Sequence, residues 1–141
     1  MKKLLSLTLV LMTLLSSLVF VACSNSEAEN VVFTADGAKY EITETTTLND
    51  YMNALELDGK LSFTTSSSIY GMFITSVNGV KNGIGGNPCW MVYTDDPDFS
   101  DTSDWGTEIT IDGKTYKSTT LGISGVIVKS GMTYVLSYVQ F

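Results

Sequence analysis

The acidic residues between positions 95 and 104 form the densest group of charged side chains in the sequence. This segment contains Asp95, Asp96, Asp98, Asp101 and Asp104. Carboxylates of this kind can bind calcium, a hard cation that takes several oxygen ligands. Their spacing differs from the Asp-x-Asp-x-Asp-Gly loop of the EF-hand, and acidic surface segments are commonly only solvated. Calcium binding by this segment stays an open alternative, and we predict no metal site.

Aromatic residues supply a second kind of candidate site. Tyr70, Phe73, Trp90 and Tyr93 lie in two segments rich in aromatic and branched residues, and Asn78 lies in a turn that follows the first. Aromatic rings bury large areas at low entropic cost, so these residues suit a platform for a flat ligand. Residues of this kind also build hydrophobic cores. We predict ligand contacts at all five positions, with a core role as the alternative.

No catalytic signature is present in the sequence. The chain contains no histidine, so Cys89 lacks the partner of a Cys-His nucleophile, and we interpret it as a small buried hydrophobe. The glycine-rich loop at residues 83–86 is followed by neither a Lys-Thr pair nor a helix, which excludes a phosphate cradle. It is instead predicted to be a mobile loop beside the ligand site. We therefore expect neither an enzyme nor a cofactor.

The first 22 residues have the features of a secretory signal. Lys2 and Lys3 precede an unbroken apolar and hydroxyl run over residues 4–21. The small residue Ala22 directly before Cys23 resembles the lipobox of bacterial lipoproteins. That resemblance implies cleavage before Cys23, acylation of Cys23 and a lipid anchor on the extracytoplasmic face of the cell membrane. An ordinary signal peptide or an uncleaved anchor remains the alternative, since about 20 apolar residues can span a bilayer.

The charge of the mature chain excludes several kinds of partner. Removal of residues 1–22 from the 141-residue chain leaves 119 residues, enough for one domain. Six lysines and no arginine then stand against fifteen acidic residues, a net charge of −9. Such a surface repels nucleic acid and anionic lipid head groups. The acyl chains on Cys23 must therefore hold the protein to its membrane.

The pattern of the mature chain begins with a tether at residues 23–30 and continues with a predicted hairpin. The strand candidates at residues 31–34 and 39–43 flank Asp36-Gly37, a pair suited to a tight turn. A helix follows, because four apolar residues recur at helical spacing: Leu48, Tyr51, Met52 and Leu55. Thr47 is its predicted N-cap, with Asp50 three residues on, and Gly59 is its stop.

The rest of the chain reads as strands. A short strand at residues 61–64 is predicted to be broken by residues 65–68, and the segments 70–80 and 89–93 are predicted to form the heart of one sheet. Residues 95–120 are interpreted as an excursion laid onto the core, with a small ribbon turning at Asp112-Gly113. Strand-like segments at residues 125–128 and 133–141 close the chain.

This order predicts an α+β fold, a β-grasp-like mixed sheet with one helix packed across a face. Three segments carry a family resemblance: Gly-Met-Phe-Ile-Thr-Ser-Val-Asn-Gly-Val at 71–80, Trp-Met-Val-Tyr at 90–93, and Gly-Ile-Ser-Gly-Val-Ile-Val-Lys-Ser-Gly at 122–131. Together they resemble the family related to the C-terminal β-domain of transcobalamin and intrinsic factor. The resemblance covers residues 31–141. It implies a β-grasp-like ligand-binding domain and makes cobalamin a possible ligand, without cobalt coordination by imidazole.

Two classes of function follow from these observations. The first is a lipid-anchored binding module that captures a small ligand, such as a corrinoid, and passes it to a transporter or a partner protein. The second is a surface interaction or adhesion module with no small ligand, which uses a sheet edge or the acidic segment. The aromatic residues discriminate between them: a concave aromatic site favours the first class, and aromatic residues that are all buried favour the second.

Overall fold

The computed structural model describes residues 30–141. The predicted signal segment 1–22, the predicted lipidation at Cys23 and the tether up to residue 29 lie outside the described residues. The described elements, in chain order, are β1 (Asn30–Thr34), α1 (Leu48–Leu57), β2 (Phe63–Ser68), β3 (Gly71–Val77), β4 (Val80–Lys81), a 3-10 turn (Ile84–Gly86), β5 (Cys89–Thr94), β6 (Glu108–Ile111), β7 (Lys114–Ser118) and β8 (Thr133–Val139). Within residues 30–141 no helix is both long enough and apolar enough to cross a membrane.

The strands form two sheets, and every pairing between described strands is antiparallel. The large sheet has the order β1-β8-β5-β7-β6 and the small sheet has the order β2-β3-β4. With one helix beside them, this is the predicted α+β class. The prediction of a single mixed sheet is wrong. The short strand β4 ends the small sheet, and the chain then enters the large sheet at β5 instead of adding a further strand beside β3.

The predicted hairpin at the start of the domain is also wrong. Residues 39–43 form no strand, because the chain turns after β1: Asp36 Oδ1 accepts a hydrogen bond from the Ala38 N–H at 2.9 Å, and the Asp36 carbonyl accepts one from the Tyr40 N–H at 2.9 Å. An aspartate that bonds its own backbone two residues on favours such a turn. Strand β1 pairs instead with β8, from Asn30 opposite Ser137 to Thr34 opposite Thr133.

The helix is confirmed together with its predicted cap. The Asp50 N–H donates to Thr47 Oγ1 at 3.2 Å, and the Thr47 N–H donates to Asp50 Oδ2 at 3.0 Å, which is a capping box. The four residues at helical spacing, Leu48, Tyr51, Met52 and Leu55, are all buried. The helix ends at Leu57, and Gly59 follows with a φ of +70°, a conformation that favours glycine.

The small sheet contains a β-bulge that changes which residues reach the core. Thr64 pairs with Ser76 but Thr65 pairs with Ile74, so Thr75 is an extra residue in β3. Without the bulge, side chains three positions apart would point to opposite faces of the strand. With it, both Ile74 and Val77 are buried in the core.

Strand β2 is longer than predicted. It pairs with β3 as far as Ser68 opposite Gly71, so residues 65–68 continue the strand instead of breaking it. The predicted central pair is divided between the sheets, because β3 lies in the small sheet and β5 in the large one. Buried residues of both strands, such as Ile74 of β3 and Trp90 of β5, still pack into one core cluster.

Helix α1 and the small sheet cover the same face of the large sheet. The large sheet contributes Trp90 and Val92 from β5 and Tyr134 and Leu136 from β8 to this shared core. Trp90 joins the sheets through its indole Nε1, which donates to the Val80 carbonyl at 2.8 Å. Asn82 adds a second link, because its Nδ2 donates to the Ile74 carbonyl at 3.0 Å and its Oδ1 accepts from the Trp90 N–H at 2.9 Å.

The last part of the chain is only partly as predicted. The ribbon β6-β7 turns at Asp112-Gly113, whose φ angles are +49° and +78°, as expected for this dipeptide. The ribbon is not an excursion, because β7 pairs with β5 at Tyr93 and Thr94 and so belongs to the large sheet. Residues 125–128 form no strand; the Leu48 N–H donates to the carbonyl of Val126 at 2.7 Å, which binds this segment to the start of α1. The predicted closing strand is confirmed as β8.

Candidate ligand-binding site

The four predicted aromatic residues do not form one platform. Trp90 is 5% exposed in the core between the sheets, whereas Tyr93 is 2% exposed on the opposite face of the large sheet. Residues three apart in a regular strand point to opposite faces, and this separates the two rings. Tyr93 packs with Tyr116 and Val135, and its hydroxyl lies 3.1 Å from Thr107 Oγ1. Both side chains are part of the core.

Asn78 stabilises a turn. Asn78 and Gly79 have φ angles of +48° and +85° and connect β3 to β4. The Asn78 side-chain Oδ1 accepts from the Ser62 N–H at 3.0 Å, and the Asn78 N–H donates to the Ser62 carbonyl at 2.8 Å. Because Tyr70 precedes the other end of β3, the structure does not bring Asn78 together with the exposed aromatic residues.

An exposed apolar surface lies where β2 and β3 meet the loop before β8. We call it the apolar patch, and it consists of Ile69, Tyr70, Phe73 and Leu121, which are 91%, 64%, 45% and 40% exposed. The loop is fixed to β3 because the Gly122 N–H donates to the Tyr70 carbonyl at 3.0 Å and the Ile123 N–H donates to the Met72 carbonyl at 2.8 Å. Glycine is required at 122, since a Cβ there would lie 2.5 Å from the Met72 carbonyl oxygen.

A small cavity lies beneath the apolar patch. It has a volume of about 70 Å³, and Phe73, Trp90 and Leu121 are among its lining residues. Typical ligand pockets measure about 300–1,000 Å³, so this cavity cannot enclose a cofactor-sized molecule. A ligand of that size would lie across the patch. Phe73 and Trp90 are thus the two predicted residues that share a concavity, and Tyr70 lies beside it.

A larger groove of about 330 Å³ lies against α1 and contains none of the predicted contacts. Glu41 and Asp50 lie on it together with Thr43, Thr45 and Thr46. The three threonine hydroxyls bond mainly to one another, with Oγ1 distances of 3.2 Å and 3.1 Å from Thr43 to Thr45 and Thr46. Asp50 Oδ2 is used by the helix cap. The threonine hydroxyls and Asp50 are thus occupied locally, so the apolar patch is the better candidate site.

The acidic segment forms ion pairs with lysines. Lys114 Nζ contacts Asp95, and Lys129 Nζ contacts both Asp98 and Asp96, the latter at 3.0 Å. In the described part of the chain, no three histidine, cysteine or acidic side chains come together in a way that could hold a metal ion. These lysines neutralise carboxylates that the sequence alone left open as calcium ligands.

Asp95 is expected to contribute to the acid stability of the domain. Burial alone would raise its pKa, but the hydrogen bond from Lys114 and the one from the Thr133 N–H, at 2.7 Å, outweigh burial and lower the pKa. A lowered folded-state pKa stabilises the protein above the unfolded value of about 3.9 and loses that effect as the pH falls further. Asp95→Asn should therefore reduce the loss of stability below about pH 4.

The measurement for this prediction is the urea concentration at the unfolding midpoint, determined at several pH values from acidic to neutral. Asp104→Asn is the matched control, because Asp104 is an exposed aspartate of the same segment that takes no part in these hydrogen bonds. An identical pH profile for wild type and Asp95→Asn would show that this carboxylate does not contribute to acid unfolding.

Cys89 and the glycine loop lie outside the candidate site. Cys89 is half-buried and forms no disulfide with any described residue, and burial raises the pKa of its thiol. The thiol is therefore protonated at neutral pH and is a poor nucleophile. Residues 84–86 form a 3-10 turn that does not line the cavity. The neighbouring Asn87 Nδ2 donates to the Phe141 carbonyl at 2.8 Å, so this region lies near the last residue.

Sequence reasoning missed Ile69, Leu121 and Asn82. Ile69 follows five hydroxyl residues, and Leu121 stands between a threonine and a glycine, which is a setting typical of loops. A large apolar residue within a loop-like stretch is the one sequence signal that could have indicated an exposed apolar patch. No sequence signal indicated Asn82, because its role is to link the backbones of Ile74 and Trp90, which are distant from each other in the chain. No family model, curated protein or solved structure matches this chain.

Proposed function

We propose that this protein is a lipid-anchored, extracytoplasmic binding module that captures a small ligand at the apolar patch and passes it to a transporter or a partner protein. The observation that supports this proposal is that four exposed, large apolar residues lie on the β2-β3 turn, on β3 and on the loop that is hydrogen-bonded to them. Single exposed apolar residues are common, but contiguous apolar patches usually mark contact sites. The cysteine anchor at Cys23 belongs to the same proposal.

The charge distribution indicates the chemistry of the ligand. The four patch residues lie within the stretches 61–80 and 118–128, and neither stretch contains a charged residue. Thr119 and Thr120 line the cavity beside the patch. A ligand that suits this surface has a flat apolar face and neutral hydrogen-bonding groups at its edge. It requires neither a metal site nor a basic pocket in the protein.

A corrinoid is the first ligand to test. Its macrocycle is broad enough to lie across the patch, and the sequence resemblance to the transcobalamin-related β-domains, with their β-grasp-like fold, supports this choice. The chain has no histidine, so recognition would depend on the face and the edge of the macrocycle and not on imidazole coordination of cobalt. Trp90 and Tyr93 would act through the core, because both side chains are buried.

The test is titration of residues 24–141 with cobalamin and with cobinamide, followed by heat and by the corrin absorption spectrum. Tyr70→Ala and Phe73→Ala should each weaken binding by about tenfold, because an aromatic contact is lost without disturbing the core. Ile84→Ala is the control, since Ile84 is fully exposed and lies outside the patch. Alanine at Trp90 or Tyr93 is unsuitable here, because either change would also damage the fold.

Two results would contradict this proposal. One is unchanged affinity in both Tyr70→Ala and Phe73→Ala. The other is the absence of any saturable binding at millimolar corrinoid, which would exclude corrinoids as the ligand. A change of affinity in Ile84→Ala equal to that in the patch variants would place the contact elsewhere on the surface.

A further inference from the structure

Strand β2 presents an open backbone edge. It is the outer strand of the small sheet, and no other strand within residues 30–141 pairs with its far side. The Ser62 carbonyl accepts from the Asn78 N–H, so the backbone groups of residue 62 face β3. Backbone groups alternate in direction along an antiparallel strand, so those of Phe63, Thr65 and Ser67 point outward. The Phe63 N–H agrees with this, because it donates to the Glu56 side chain at 3.2 Å.

The outward groups of Thr65 and Ser67 lack the usual protection of an edge strand. Proteins commonly guard such edges with lysine, proline, inward-pointing charges or a bulge in the edge strand itself. Here residues 61–80 contain neither a charged residue nor a proline, and the bulge lies in β3. Ser66, Ser67 and Ser68 are all exposed. The Glu56 carboxylate lies at the Phe63 end of this edge, away from Thr65 and Ser67.

We infer that β2 pairs with β2 of a second copy of this chain. An antiparallel pair centred on Ser66 places Thr65 opposite Ser67 of the other copy, and this pairing satisfies the outward N–H and C=O groups of both residues. The two small sheets then join into one continuous six-stranded sheet. Such an interface is self-complementary, as a two-fold symmetric dimer requires.

The charge distribution allows a second copy to approach at this edge. The chain from residue 23 onward carries a net charge of −9, so most orientations bring two copies together with like charges facing. The 20-residue stretch from 61 to 80 is uncharged, and approach through β2 therefore avoids the direct juxtaposition of like charges. Serine and threonine side chains on both strands also suit a symmetric pair, because a hydroxyl can donate and accept.

Cysteine cross-linking tests the register directly. In a Cys89→Ser background of residues 24–141, Ser66→Cys should give a disulfide-linked dimer under mild oxidation. The two Cα atoms would lie about 4.5 Å apart in a pair without direct backbone bonds, a distance that a disulfide can bridge. Ser68→Cys is the matched control, since its two copies would lie about 13 Å apart at about 3.3 Å per residue. Equal cross-linking of the two variants would overturn the proposed register.

Sedimentation equilibrium tests the backbone pairing without cysteine. The wild-type segment should dimerise between micromolar and millimolar concentration. Ser67→Pro removes an outward N–H from each copy and should raise the dimer dissociation constant by about tenfold, because two intermolecular hydrogen bonds are lost. Ser67→Ala keeps the N–H and should dimerise as the wild type does. Circular dichroism confirms that both variants are folded.

Two outcomes would overturn the inference: a wild-type segment that stays monomeric at millimolar concentration, or a dimer that Ser67→Pro does not weaken. Failure of the ligand proposal is distinguishable from failure of the dimer. Corrinoid binding is tested at Tyr70 and Phe73, and it can be absent while the dimer persists. The dimer can likewise be absent while the patch binds its ligand.

Discussion

Replacement of Lys129 with methionine is expected to lower the free energy of unfolding by about 3 kcal/mol at neutral pH. Asp96 is 0% exposed, its Oδ1 accepts from Lys129 Nζ at 3.0 Å, and its Oδ2 is buried without a hydrogen-bond partner in the described structure. Removal of the ammonium leaves a buried carboxylate with no cation. The estimate is at the low end of the usual 3–5 kcal/mol because the Lys129 side chain is 40% exposed.

Chemical unfolding at several pH values measures this effect. Hydrogen bonds to Asp98 and then to Asp96 raise the pKa of Lys129. A raised folded-state pKa means that the stabilisation is complete below the unfolded value of about 10.4 and is lost as the pH rises through the folded value. The difference between wild type and Lys129→Met should therefore decrease at strongly alkaline pH.

Two variants control the Lys129 experiment. Lys81→Met removes a charge from an exposed lysine and should change the unfolding free energy by less than about 0.5 kcal/mol. The double variant Asp96→Asn, Lys129→Met should be more stable than Lys129→Met alone, since it no longer buries a charge. A Lys129→Met protein as stable as Lys81→Met would show that Asp96 does not depend on this ion pair.

Trp90→Ala is expected to cost about 3–5 kcal/mol of unfolding free energy, the range for removing a large aromatic side chain from a core. Trp90 is 5% exposed, and its ring centroid lies 5.2 Å from that of Tyr138. Its Nε1 also donates to the Val80 carbonyl of the small sheet. Trp90→Phe should cost less, about 1–3 kcal/mol, because it keeps part of the packing but leaves the Val80 carbonyl without this donor.

The second tryptophan provides the control for Trp90. Trp105, directly after the acidic segment, is 90% exposed, and Trp105→Ala should change stability by less than about 0.5 kcal/mol. Urea unfolding followed by circular dichroism measures all three variants. Equal destabilisation by Trp90→Ala and Trp105→Ala would contradict the burial of Trp90 between the sheets.

The candidate site shows what composition and spacing could and could not predict. Tyr70 and Phe73 were predicted as ligand contacts, and they are exposed on the apolar patch; whether they bind a ligand stays a prediction. Trp90 and Tyr93 have the same residue types, yet both are buried. A sequence shows that a residue is aromatic but does not show what covers it. Ile69 and Leu121 belong to the patch because the loop containing Gly122 is hydrogen-bonded to residues 70 and 72, and this contact is visible only in the tertiary structure.

The sequence by itself determined the features that depend on a few neighbouring residues. The capping box at Thr47, the helical spacing of α1 and the turns at Asn78-Gly79 and Asp112-Gly113 are local. The hydrogen bonds of the cap, the apolar spacing of the helix and the φ angles of the turns each involve residues close in the chain. Alternating residues likewise predicted β8. These features follow from side-chain chemistry and backbone geometry within a few positions.

Only the tertiary structure decided which strands are neighbours. Strand β1 has the composition to pair with residues 39–43, but it pairs with β8 about 100 positions away, from Asn30 opposite Ser137 to Thr34 opposite Thr133. The bulge at Thr75 and the division into two sheets are equally non-local. Strand pairing depends on how the complete faces of the sheets pack. The same alternation of apolar and polar residues is compatible with several partner strands. The physical reason is that backbone hydrogen bonds are alike in every pair, so burial of the complete core selects among them.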